Sequence, residues 1–457
     1  MKKLCLLLAG ALLALSLAPS ALAARYTNRA DELRDAGLFL GTGSGYALDR
    51  APTRAEAAAI LVRLLGQEAD ALSGAYAHPF EDVPAWADGY VAYLFSHQLT
   101  NGVSATRFAP DAVCDAQMFT AFVLRALGYT ETAGDFVYRD ALSFAEDLTL
   151  IDGFLLQGAF QRDQAVAVMY NALFTRRKGS SLTLLETLAA GDVIPAAAAA
   201  PLLDKAARLR ALNTALDADP VMRADAAALN LESTITVTDS APSSPLSGEI
   251  LSSGVMRWTS RAGQFEAERR LTVRFGESTL AHELAYYIKD GFFYLDVDKN
   301  RTYTPWNLPA LPSTEPGSGA LQIRPYLVDD IVRTSAPEGT RYTYTVQSLS
   351  LDRQFALTLE SLDIDVEAVP IDVWSELLFT PGGALRAVTT KLTVYADHLT
   401  AAFSEIWTVT AYGDDVVIDF PDLTDWGEFV PNLETDELSS HVVLQKSADT
   451  LQPPGVF

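Results

Sequence analysis

Four stretches hold residue types that catalysis or ligand binding would need. His282 and Glu283 open HELAY, but a zinc protease needs HExxH, and the fifth residue is Tyr286 in a segment that alternates like a strand. Asp296, Asp298 and Asn300 give DxDxN, the opening of a calcium loop, yet Arg301 replaces the turn glycine and Asn307 the final glutamate. GTGSGY supplies Gly41, Gly43 and Gly45 but puts Tyr46 where a dinucleotide fingerprint needs its third glycine, and no P-loop lysine follows. Asp363 and Asp365 lie at strand-like spacing, whereas a glycan hydrolase needs two carboxylates facing each other at about 5 to 10 Å. The expectation is therefore no catalytic residue, no metal and no cofactor: a chain that is not an enzyme, with an envelope glycan hydrolase kept as the second of two alternatives.

The residues do place one kind of chemistry, anion binding. Arg54 stands in the first turn of an expected helix, where backbone N–H groups and the helix dipole favour negative charge. A guanidinium there can hold a carboxylate through two parallel hydrogen bonds. Thr53 and Glu56 flank it as a capping box, TxxE, each side chain satisfying a backbone amide of the other. Ile60, Leu61, Leu64 and Leu65 then form the apolar stripe that holds the helix on its neighbours.

The elements that carry these residues recur. YALDRAPTRAEAAAILVRLLG (46 to 66) aligns with FAPDAVCDAQMFTAFVLRALG (108 to 128) at an offset of 62, matching Asp49 with Asp111 and Arg63 with Arg125. GAFQRDQAVAVMYNAL (158 to 173) follows at an offset of 108 from the first copy and puts Arg162 in the place of Arg54. Each copy follows another helical pattern that runs to a glycine, Gly41, Gly102 or Gly153, expected to stop it in a left-handed conformation. Each unit thus reads as helix, glycine loop, helix, too small to stand alone but able to share a core with two others. In copy two, Asp115 replaces the threonine and Ala116 the arginine, so that copy keeps a helix cap and loses the cation.

The repeats resemble the S-layer homology (SLH) domain. The resemblance rests on TRAE at 53 to 56, FEDVPAWA at 80 to 87, NG at 101 to 102, FAPD at 108 to 111 and LRALGY at 124 to 129, and covers 25 to 178 in three copies: 25–67, 78–129 and 135–178. It implies a pseudo-threefold all-α bundle that binds secondary cell-wall polysaccharide, often a pyruvylated glycan, in grooves between repeats. Arg54, Arg162, Thr53 and Glu56 would line those grooves, and by the same resemblance so would Asp82 and Trp86.

The remainder sets the context. MKKLCLLLAGALLALSLAPSALAA reads as a signal peptide over 1–23, its apolar run short of the roughly 20 residues a spanning helix needs. The chain carries 34 basic and 58 acidic residues, a net charge of −24, so no nucleic-acid partner is expected. Cys5 would leave with the leader, and Cys114 would then have no intrachain partner. Residues 179–230 read as a helical connector broken near 191 to 195, and 231–430 as a large antiparallel sheet with turns at Lys289-Asp290-Gly291 and Asp298-Lys299-Asn300. A helix is expected from Leu321 to Arg333, an expected strand FALTLE lies at 355 to 360, and a tail occupies 431–457. AYYIKDGFFYLDVDKNRTYTPW and TAYGDDVVIDFPDL resemble lipoprotein-carrier (LolA-like) domains, which implies, as the first alternative, a carrier or sensor of an apolar ligand. The whole reads as a multidomain α+β protein of the bacterial cell envelope with no transmembrane segment in its mature form.

Overall fold

The computed structural model describes residues 23–24, 26–41, 45–153, 155–156, 158–240, 247–259, 263–305, 323–350, 370–396 and 399–428. The expected leader up to residue 22, Gly43, Asn307, the strand at 355 to 360, Asp363, Asp365 and the tail at 431–457 lie outside the described residues. The chain folds as two compact units in a multidomain α+β arrangement. One unit comprises Arg25–Ala211 together with Ile323–Asp329, and the other Met1–Ala24, Leu212–Gln322 and Asp330–Phe457.

The first unit is helical. Its elements are α1 (Thr27–Asp35), α2 (Arg54–Leu64), α3 (Glu68–Ala71), α4 (Asp88–Ser96), α5 (Ala116–Ala126), α6 (Ala141–Asp147), α7 (Arg162–Phe174), α8 (Leu184–Ala190) and the start of α9 (Ala196–Ala218). Thr53 and Glu56 close the expected capping box at α2: the Glu56 amide donates to Thr53 Oγ1 at 3.2 Å and the Thr53 amide to Glu56 Oε2 at 3.0 Å. Asp115 caps α5 by accepting from the Met118 amide at 2.8 Å. The stops of α1, α4 and α6 differ from expectation. The left-handed residues directly after them are Gly37, Gln98 and Thr149, with φ of 76°, 61° and 60°. Each is followed by a leucine amide bonded back into its helix, Leu38 to Leu33 O, Leu99 to Leu94 O and Leu150 to Ala145 O. Gly41 and Gly102 are also left-handed but close the next loop, and Gly153 is not left-handed at all.

The second unit is an open, almost wholly antiparallel sheet. Among the described residues its strands are β1 (Ala23–Ala24), β2 (Ala226–Asp239), β3 (Gly248–Thr259), β4 (Gln264–Phe275), β5 (Ser278–Lys289), β6 (Phe292–Val297), β7 (Asn300–Pro305), β8 (Val328–Ala336), β9 (Gly339–Ser350), β10 (Pro370–Phe379), β11 (Leu385–Ala396), β12 (Leu399–Tyr412) and β13 (Gly427–Glu428). They run in the order β1-β9-β10-β11-β12-β2-β3-β4-β5-β6-β7-β13, with β8 beside β9, and β13 is parallel to β7. One face of β3 to β6 buries Met256, Phe265, Ala267, Ile288 and Phe293, and a second cluster joins Ile235, Ile250 and Val273. Both expected hairpin turns form. Asp290 and Gly291, then Asp298 and Lys299, take positive φ as the two central residues, the backbone that matches strand twist.

The expected helix from Leu321 to Arg333 is not formed over its described part. Pro325–Leu327 make a single 3-10 turn and the chain is extended from Val328 onward. Pro325 fixes its own φ and disfavours the helical region for Arg324, while the β-branched Val328, Ile331 and Val332 favour a strand.

Candidate functional site

The starts of α2 and α7 dock in the same way on loops one repeat away. The Arg54 amide donates to Ala112 O and the Ala55 amide to Pro110 O; the Arg162 amide donates to Arg50 O and the Asp163 amide to Leu48 O. Arg54 Nε then donates to Phe108 O and Arg162 Nε to Tyr46 O, both at 2.8 Å. Residues 46, 48 and 50 are those that the offset of 62 aligns with 108, 110 and 112, so one junction is built twice. The docking loop also absorbs the amides that seemed available to an anion at each helix start. That part of the expectation is corrected: the amides at these helix starts are taken by loop carbonyls, which leaves the guanidinium groups of the expected set.

The two guanidinium groups differ in their surroundings. Arg162 lies over the Phe39 ring at 5.0 Å and has Glu56 Oε2 at 3.6 Å from Nη1. Arg54 lies over the Phe108 ring at 4.8 Å and its Nη1 meets Met118 Sδ at 2.8 Å. It is 5% exposed, and among the described residues no carboxylate pairs with it. Burial lowers the pKa of both arginines from the ordinary value; the Glu56 carboxylate partly offsets this at Arg162 and the Asp82 carboxylate at Arg54. A guanidinium keeps its proton under such shifts, so Arg54 is a desolvated cation with no carboxylate in contact among the described residues. Tyr138, 43% exposed, stands beside it, tied to α5 by Gln117 Nε2 donating to Tyr138 O at 2.7 Å.

The remaining expected residues fall into three kinds. Thr53 and Glu56 are engaged in the cap, and Glu56 also accepts from Arg50 Nη1 at 2.8 Å and Nη2 at 2.5 Å. Burial opposes ionisation of Glu56, but the bonds from Arg50 and Thr53 with the Arg162 charge hold its pKa below the usual range. It therefore serves as the counter-ion of Arg162. Asp82 accepts from the Phe108 amide at 2.8 Å and the Ala109 amide at 2.9 Å, which depresses its pKa and pins the loop under Arg54. Trp86 is 54% exposed and fills no core.

Residue reasoning missed Phe108, Phe39, Met118 and Tyr138. The offset that pairs Tyr46 with Phe108 was the available signal for the aromatic loops. It fails for the ring under Arg162, because Tyr46 turns aside to donate to Asp31 at 2.6 Å and Phe39 takes its place.

Among the described residues of the sheet unit, the sequence candidates meet at one turn, where they bond one another and the backbone. His282 lies in β5 and its Nδ1 is 2.5 Å from Asp298 Oδ2. Asp296 accepts from the Lys299 amide at 2.7 Å and from Arg301 Nε at 2.8 Å, so these carboxylates already serve a turn.

Part of the chain is similar to two surface proteins. It is 31% identical over 133 residues to a "Cell surface protein" of Thermoanaerobacter kivui, which covers 28% of this chain and 17% of that protein. It is 28% identical over 117 residues to the "Middle cell wall protein" of Brevibacillus brevis, covering 25% of this chain and 11% of that protein. The chain thus matches well under a fifth of either relative's length. No family model matches. LprF from Mycobacterium bovis aligns with 48% of this chain and 98% of its own at 13% identity, with a TM-score of 0.24. Among the described residues, no helix is long and apolar enough to cross a membrane.

Proposed function

We propose that the helical unit anchors the protein to the bacterial cell envelope by gripping an anionic wall polysaccharide in the manner of SLH repeats, and that the sheet unit is a non-catalytic module carried on that anchor. The observation that carries this reading is Arg54, a guanidinium 5% exposed with no carboxylate partner among the described residues. A desolvated and unpaired charge is costly, and an arriving carboxylate or ketal-borne anion would relieve that cost by a charge-assisted pair. Tyr138 at the rim supplies the flat surface against which a sugar ring packs. The surface and wall proteins that part of the chain resembles support the location.

The test is co-sedimentation of the full chain with isolated wall sacculi, before and after the secondary polymer is stripped. Intact sacculi should bind and stripped sacculi should not. Arg54→Ala should weaken binding by about tenfold or more, the scale of one charge-assisted hydrogen-bonded contact. Arg162→Ala should weaken it less, since Glu56 already neutralises that cation. Equal binding to stripped sacculi, or an Arg54→Ala variant that remains folded by circular dichroism and binds like the parent, would refute the reading.

A further inference from the structure

Ile323–Asp329 lies between β7 and β8 in sequence yet belongs to the helical unit. Its place there follows from comparing the three second helices. Arg63 of α2 pairs with Glu68 at 2.8 Å, and Arg125 of α5 pairs with Glu131, at 3.1 Å from Nε and 2.5 Å from Nη2. In both cases the partner comes from the chain directly following the helix, which crosses to the next first helix, α4 or α6. The aligned residue of α7 is Asn171. It keeps one bond of the pattern: its Nδ2 donates to Leu150 O at 3.0 Å, as Arg125 Nη1 donates to Leu99 O at 3.2 Å. Its own following chain reaches only its backbone carbonyl, through Thr175 Oγ1 at 2.9 Å. Asn171 Oδ1 accepts instead from the Tyr326 amide at 3.1 Å.

The reason is topological. The first helix beside α7 is α1, as the bond from Tyr170 OH to Glu32 Oε2 at 2.5 Å shows. Because α1 precedes α7 in sequence, the chain leaving α7 cannot lead into it, and a distant segment fills the gap. The slot receives this segment as a single 3-10 turn, Pro325–Leu327, that leads into extended chain from Val328. Tyr326 is fully buried, its ring edge-on to Tyr26 at 5.4 Å, and its hydroxyl donates to Asp152 at 3.0 to 3.1 Å. Arg29 Nε donates to Tyr326 O at 3.3 Å and Lys205 Nζ to Val328 O at 3.3 Å. Arg29 Nη2 and Asn28 Nδ2 both bond Asp329 Oδ1.

We propose that the cleft between α1 and α7 is a peptide-recognition slot for a Tyr-x-x-Asp segment, which this chain fills with its own Ile323–Asp329 to close the helical ring. The inference is independent of what the ring binds.

The experiment is hydrogen exchange on the full chain. Tyr326→Ala should speed exchange in Thr27–Asp35 and Arg162–Phe174 by about tenfold or more and leave Arg54–Leu64 and Ala116–Ala126 protected. Tyr326→Phe, which keeps the ring and loses only the Asp152 bond, should lie between. Parental protection of α1 and α7 in Tyr326→Ala would overturn the proposal. Should that variant unfold the entire unit, a chain with Arg324 to Asp329 replaced by glycine and serine decides. Recovery of protection on adding the synthetic peptide IRPYLVD supports the slot, and no recovery at millimolar peptide overturns it.

Discussion

Lys205 shows how closely a single side chain can be tied to pH. Burial together with the Arg29 charge lowers its pKa to about 8, against the pull of Glu32 and Asp329. Its ammonium donates to Glu32 at 3.2 Å, to Tyr170 OH at 2.9 Å and to Val328 O at 3.3 Å. The sign follows from linkage. A lysine whose folded pKa is lowered carries a penalty that is constant below the folded value and is released as pH rises toward the unfolded value of about 10.4. The melting temperature of the parent should therefore rise relative to Lys205→Met between pH 7.5 and pH 9.5, because the unfolded chain binds the extra proton. A flat difference across that window would mean that the ammonium is better solvated than its surroundings indicate. At the same scale, identity without environment was the limit of sequence reading. Arg54 and Arg162 look equivalent as letters. What separates them is Glu56, which Arg50 and the capping box hold beside Arg162 and away from Arg54.

At the scale of elements, local rules were legible where a few neighbouring residues decide the outcome. Thr53 with Glu56, Asp115 as a helix cap and Asp290-Gly291 as a turn all act within four residues, and each forms as the sequence indicates. Rules that depend on distant partners were not legible. Glycine suggested the helix stops, but the unwinding comes earlier, at positions that a glutamine and a threonine also fill. The stretch from Val328 has apolar spacing compatible with either a helix or a strand, and pairing with β9 settles it. The turn after β6 permits a clean test of backbone cost. Lys299 sits at φ 72°, a conformation that disfavours a side chain by about 1 kcal/mol. Lys299→Gly should stabilise the sheet unit by that order in denaturant unfolding, and a loss of stability would show that the lysine side chain makes a contact worth more than the strain.

At the scale of the whole molecule, the proposed wall anchoring sets a net charge of −24 against an anionic ligand. The Debye length falls from about 30 Å at 0.01 M salt to about 8 Å at 0.15 M, so added salt removes the long-range repulsion before it weakens a desolvated arginine contact. Sacculus binding should accordingly strengthen from low to physiological salt, the reverse of what a basic binding protein shows. A steady decline in affinity over that range would point to exposed cations as the grip and away from Arg54. The division into units was only partly legible for a related reason. A composition shift marks where helices give way to strands, but nothing local marks residues 323 to 329 as part of a helical body whose other residues end at Ala211.

That discontinuity also imposes a timetable. A chain made from its N-terminus presents α1 to α8 long before Tyr326 exists, and 118 residues separate Ala211 from Asp329. At about 5 to 20 residues per second, synthesis leaves the cleft beside Arg29 without its own segment for roughly 6 to 24 s. During that interval the nascent protein has most of its helices but an unfinished rim, with β2 to β7 emerging in between. The order of synthesis thus makes completion of the helical body a late event, one that follows the first half of the sheet instead of preceding it.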